Sequence, residues 1–275
     1  MKICTQLFLI LVIFRINAQP NCEAFKYYGD TLKYEACKEA EKRSGHYQFS
    51  RKYQEALDDA LAIDSTFAFA YRAKSTAYLK SGDFITWKKL IDKAVQYDPE
   101  GQLYYRASCR YQFFRDYKGA IEDIKHLDSL VKYDIGYSQN GDYHLNIIMA
   151  LSYRAIGKPM ESLKIFEQTL QDSSYSVGIY DYLHLGVLNF EMGNYAKAIE
   201  TLKKQEIEND IAENRYYIAL AYRKLGNTKE CIYNLDLAKK KYLMESRMFD
   251  PYVEKMDQIF LIDIENEIET TYNNR

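Results

Sequence analysis

The chain has 275 residues, of which 47% are hydrophobic, with only four prolines and twelve glycines. That composition excludes a disordered or collagen-like chain and permits long helices. Basic and acidic residues nearly balance, 37 against 39, and no basic stripe of the kind that displaces counterions from nucleic acid is present. Tyrosine is the outlier, with 27 residues against one tryptophan. Its ring packs while its hydroxyl reaches a wet edge, which suits both a helical core and an adhesive surface.

At the amino terminus, Met1-Lys2 precedes an apolar run from Leu7 to Phe14, and Ala18 supplies a small residue before Gln19. Eight apolar residues are too few to span a bilayer, which takes about 20. Residues 1–18 therefore read as a secretory signal peptide, with an uncleaved anchor as the other reading. The mature chain is expected to be exported, periplasmic or extracellular, with no stable membrane span after cleavage.

In an exported chain, Cys22 and Cys37 are disulfide candidates. On one continuous helix they would lie about 22 Å apart, too far to bond. A break at Gly29-Asp30, with Asp30 or Thr31 capping a helix to about Arg43, would let the segment fold back; both arrangements are open. Cys109 and Cys231 read as packing residues.

From about residue 45 to residue 245 a pattern repeats. A tyrosine near the end of one apolar stretch is followed by a turn at Gly82, Arg115, Gly157, Gly193 and Gly226, spaced 33, 42, 36 and 33 residues apart. Such a period marks stacked helical hairpins, each burying a face on the next. Units fall near 34–67, 68–101, 101–134, 143–176, 179–212 and 212–245, after an N-terminal cap and first helix in 19–44. In the clearest unit, Tyr182, Leu185-Gly186, Gly193-Asn194-Tyr195, Ala198-Ile199 and Leu202 set small residues where two helices approach and large ones around them. Two places depart from the pattern. Trp87 stands where a small residue is expected, and residues 134–142 interrupt the phase, either as a lengthened surface loop or as a lip on a groove. Asp250-Pro251 is expected to start a final amphipathic helix, with Val253, Met256, Phe260 and Ile264 on one face, capping the array within 246–275.

These residues resemble the tetratricopeptide repeat family over about residues 45–245. The resemblance implies an all-α, right-handed helical-hairpin solenoid of five to six repeats with a C-terminal capping helix. It also implies that first helices line a concave groove for peptides or partner segments. Carried over by position, the groove comprises Phe69, Arg72, Thr76 and Leu79; Tyr105, Cys109, Gln112 and Phe113; Ile147, Leu151 and Arg154; Tyr180, Leu183, Val187 and Phe190; and Tyr216, Leu220 and Arg223. Its cations outnumber its acids, Glu191 and Glu213, and so favour a mildly acidic segment.

Catalytic and metal-binding patterns are missing. The four histidines (His46, His126, His144, His184) stand singly, and no zincin, Walker or nucleophile-elbow motif occurs. The expectation is a non-catalytic protein-interaction scaffold for a protein or peptide partner, without cofactor or metal. A second reading, of a different class, is a ligand-sensing or substrate-delivery module that binds a small molecule or glycan for a membrane partner. A converging polar pocket, in place of an open groove with scattered anchors, would favour it.

Overall fold

The computed structural model describes residues 20–273, and among them it is all-α, with fourteen helices and one isolated bridge between Tyr137 and His144. Residues 1–18, expected from the sequence to be a signal peptide, lie outside the described residues. The chain divides into two compact units, one through Tyr97 and one from Asp98 onward. Both are built from helical hairpins.

The first unit holds α1 (Cys22–Tyr27), α2 (Thr31–Glu41), α3 (Arg51–Ile63), α4 (Ala68–Ser81) and α5 (Phe84–Tyr97). Between α1 and α2 the chain turns at Gly29, φ 78°, and the Asp30 carboxylate takes the Lys33 N–H at 3.0 Å. Asp30 is thus the cap, and α1 packs back on α2. Cys22 and Cys37 are bonded, with Cα atoms 5.5 Å apart. A closed loop of this size stabilises a fold by roughly 3 kcal/mol. Leu57 and Ala60 of α3 meet Ala36 and Ala40 of α2 with Phe67 and Ala70 in the core. Trp87 is buried on α5, so its bulk is accommodated inside the unit.

The second unit pairs α6 (Pro99–Gln112) with α7 (Tyr117–Leu130), α8 (Leu145–Ala155) with α9 (Pro159–Gln171), α10 (Asp181–Glu191) with α11 (Tyr195–Asn209), and α12 (Ala212–Lys224) with α13 (Thr228–Leu243). First helices touch one another in the order α6, α8, α10, α12, which makes them one inner row. A terminal helix, α14 (Leu261–Asn273), packs on α13. Residues 134–142 form a tight closed loop. Ser138 N–H donates to Tyr143 O at 2.8 Å, and Leu145 N–H donates to Gly136 O at 2.9 Å.

Two backbone constraints fix the hairpins. Each turn needs a residue with φ in the left-handed region, which glycine adopts without a Cβ clash. Gly157, Gly193 and Gly226 supply it at 75°, 79° and 74°. Between α6 and α7 the same conformation, φ 51°, is forced on Arg115. Inside α10, a Cβ on Gly186 would stand 2.5 Å from Cγ of Leu202 on α11, so only glycine lets these helices close.

The last helix starts later than its amphipathic pattern suggests. It begins at Leu261, whereas Asp250-Pro251 opens a run without helix. The Asp250 carboxylate accepts the Tyr252 and Val253 amides at 2.8 and 3.2 Å, and Asp257 sits at φ 66°. Such local side-chain turns compete with helix. Where α14 begins, Asp263 accepts the Phe260 N–H at 2.7 Å. Val253 and Met256 consequently share no helical face with Ile264, which caps α13 among Leu235 and Ala238.

Gly186→Ala is expected to cost about 1–3 kcal/mol through overpacking against Leu202, whereas Arg115→Gly is expected to gain about 0.5–1 kcal/mol by releasing a left-handed arginine. Urea denaturation of both variants checks the pair; a neutral Gly186→Ala would show that the α10–α11 approach is not limiting.

Candidate functional site

The inner row of the second unit is covered by the chain's own residues 246–260. Ser246 O accepts the Ala212 N–H at 2.9 Å, and Met248 is fully buried among Leu183, Val187 and Ile218. The Met248 N–H donates to Glu213 at 3.0 Å. Farther along this strap, Lys255 lies between the rings of Tyr143 and Tyr180, 5.4 and 5.8 Å from their centres. Its ammonium bonds Asp142 of the 134–142 loop at 2.6 Å. Ile259 then closes the strap in the cluster of Ala212, Ala219 and Ile264.

At the centre is a buried charge cluster. Asp257, with its side chain 3% exposed, receives Nη1 and Nη2 of Arg154 at 2.8 and 2.7 Å. His184, 0% exposed, donates from Nδ1 to the same carboxylate at 2.6 Å, which leaves Nε2 facing the Tyr143 hydroxyl at 3.2 Å. Arg154 also holds Glu191 through Nε and Nη2, each at 2.6 Å. Burial pushes the Asp257 carboxyl up, but the Arg154 guanidinium and the His184 hydrogen bond outweigh it and hold the group down at about 2. That contribution to stability is full above the ordinary carboxylate range and is lost as pH falls through about 2. Both carboxylate oxygens are occupied by these two partners.

Glu213, in the first turn of α12, shows the opposite balance. Burial pushes its carboxyl up to about 7, against the pull of its own amide and those of Met248 and Ile259. The strap's Arg247 also pulls it down.

The residues assigned to the groove by position fall into three groups. Gln112 meets Asp250 at 3.3 Å, Arg154 meets Asp257, Tyr180 flanks Lys255, Leu183 and Val187 pack on Met248, and Tyr216 packs in the cluster of Ile259. Arg223 pairs with Glu267 of α14. Tyr105, Cys109, Ile147, Leu151 and Leu220 are buried side chains of the core, while Phe113 is half-buried and Phe190 packs on Tyr195 and Tyr217. In the first unit, Phe69, Arg72, Thr76 and Leu79 line up on α4 and are half-buried. There the Arg43 and Arg72 guanidinium groups stand 4.6 and 5.4 Å from the Phe69 ring centre.

Asp257, Lys255 and Tyr143 are additions that position within a repeat does not reveal. Their signal is the pairing of a strap outside the repeats with the inner row. His144 and His184 go to different carboxylates, Asp134 at 2.8 Å and Asp257. Among the described residues no group of His, Cys, Asp and Glu is placed to hold a metal ion, and no helix is long and apolar enough to cross a membrane.

Since the folded value of Glu213 lies above the ordinary one, its ionisation destabilises the native state progressively as pH rises from about 4.5 to about 7. Glu213→Gln keeps the acceptor for Met248 and is expected to gain stability relative to wild type at about pH 8, by up to about 3 kcal/mol, but not at about pH 5. Parallel urea curves at the two pH values check this, and an unchanged difference would remove Glu213 as the titrating group.

Residues 182–204, in the α10–α11 hairpin, match a tetratricopeptide repeat model. No curated protein matches the chain. Among solved structures it is similar to PilW, a widely conserved type IV pilus biogenesis factor, at 12% identity over 89% of this chain and 98% of that one, with a TM-score of 0.56. PilF of Pseudomonas aeruginosa is similar at 13% identity over 90% and 94%, TM-score 0.55. YrrB, a TPR protein with an unusual peptide-binding site, is similar at 16% identity over 70% and 96%, TM-score 0.52. At such identities the likeness is one of fold. One hairpin thus matches the tetratricopeptide repeat model, and the described residues share the all-α helical-hairpin fold of these solved structures.

Proposed function

We propose that this chain is an exported, non-catalytic scaffold that binds a protein segment along the inner faces of its first helices. The carrying observation is the strap itself. Side chains from α6, α8, α10 and α12 converge on a non-helical polypeptide and hold it by backbone contact, buried ion pairs and apolar anchors. A surface with that donor and anchor set recognises polypeptide. The first unit adds an aromatic and cationic surface on α4, with Phe69 beside two arginines. Export is supported by the apolar leader and by the Cys22–Cys37 bond, which persists in an oxidising compartment. The fold is one that serves protein association generally, and YrrB of the same fold has a peptide-binding site.

Photo-crosslinking from single positions tests this reading. A photoreactive residue at Phe69, Leu79 or Phe190 is expected to capture a defined protein from the native envelope fraction, whereas one at outer Lys88 or Lys203 is not. Capture of the same protein from the outer positions alone would place association elsewhere and reject the inner-face reading.

A further inference from the structure

The strap is pinned at its ends and held by charge in between. Met248 and Ile259 are buried apolar anchors, whereas Phe249, Tyr252 and Phe260 turn outward and are 64%, 76% and 43% exposed. Between the anchors the strap adds local turns to these charge contacts: the Asp250 carboxylate takes the Tyr252 and Val253 amides, and Gln258 N–H donates to Lys255 O at 3.2 Å. That turn places Asp257 at φ 66°, a left-handed conformation that aspartate and asparagine adopt more readily than other residues with a Cβ.

The receiving groups do not depend on the strap for pairing. Without Asp257, Arg154 keeps Glu191 and His184 keeps the Tyr143 hydroxyl. The Lys255 cradle, Tyr143, Tyr180 and Asp142, is likewise built from the 134–142 loop and the start of α10. Resting on the scaffold reading above, we propose that the inner face of the second unit is a preformed site for a partner segment carrying a lysine two residues before an aspartate, and that Lys255 and Asp257 fill it until such a segment displaces them. The charges specify the register. The carboxylate enters between Arg154 and His184, and the ammonium lies over two tyrosine rings against Asp142. With Met248 and Ile259 still anchored, residues 249–258 lift away as a loop and α14 keeps its place on α13.

The test uses the full mature chain and a fluorescent peptide of residues 249–260. Asp257→Asn in the protein keeps a residue that tolerates the left-handed turn but weakens the internal occupant. Its affinity for the peptide is expected to rise about tenfold or more over wild type, because the competent state is more populated. A peptide with the same Asp257→Asn change, or a protein that also carries Arg154→Gln, is expected to lose that binding. In wild type, amides of 250–258 are expected to exchange faster than those of α10 and α12, and saturating peptide to speed them further. Failure of the peptide to bind the Asp257→Asn protein while its strap amides exchange faster would overturn the proposal. So would strap amides in wild type as protected as those of α10, a result that decides the matter even if the variant fails to fold. A wild-type dimer in solution that exchanges straps would also overturn it, in favour of a second copy as occupant. Crosslinking from Phe69 or Leu79 without peptide binding in the second unit would leave the scaffold reading standing and this one rejected.

Discussion

A helical hairpin cannot cover its own apolar stripe, and this constraint organises both units of the chain. Each hairpin has to be turned sharply enough to pack and then be covered by the next. The left-handed residue after the first helix does the turning. Its importance is plainest where glycine is missing: Arg115 takes φ 51° in the place where Gly157, Gly193 and Gly226 take about the same conformation. The backbone demand has overridden the residue's own preference. Small residues serve the covering step, as Gly186 does beneath Leu202.

In the second unit the same constraint explains why a strap exists. An inner row of first helices has neighbours along the row but none across its face. Leu183, Val187 and Ile218 would meet water there; Met248 covers them. At the far end, among the described residues, α13 is followed by the single helix α14, which brings Ile264 and Ile268 against it. Cap and strap are consecutive in sequence and solve two parts of one covering problem. The strap differs from the cap in holding its centre with charge.

The repeat phase was legible in the sequence because turn and close-packing positions are local and periodic. Arg115 could be placed at a turn by phase alone, and Gly186 and Ala198 at a helix contact. Phase also assigned the inner row well enough that Gln112, Arg154, Tyr180 and Leu183 all reach the strap. It could not tell a groove side chain from a core one, since Ile147 and Leu151 are buried by neighbours whose approach is tertiary. Nor was the strap legible. Val253, Met256, Phe260 and Ile264 have helical spacing, yet Asp250 caps its own turn and Asp257 adopts a conformation no helix admits. The pairing of Asp257 with Arg154 joins residues 103 apart in sequence, and no local pattern announces it.

The energetics of that pair bear on what it is for. Burying a carboxylate with a guanidinium and an imidazole gains less than packing apolar groups of similar volume, because desolvation offsets most of the attraction. Stability alone would favour apolar side chains in place of the whole cluster, not of one member. What the charges add is discrimination: a strap shifted by one residue would bring Met256 or Gln258 against Arg154 and leave Lys255 away from Asp142 and the tyrosine rings. The register is thus enforced by the penalty for wrong pairings more than by the strength of the right one. Glu191 completes this logic. Its carboxylate, 49% exposed at the edge of the cluster, shares Arg154 with Asp257 and keeps the guanidinium paired in either state. Under the proposed displacement of the strap, the contact is specific and yet leaves its receptor paired when it opens, as a binding site requires and a core does not.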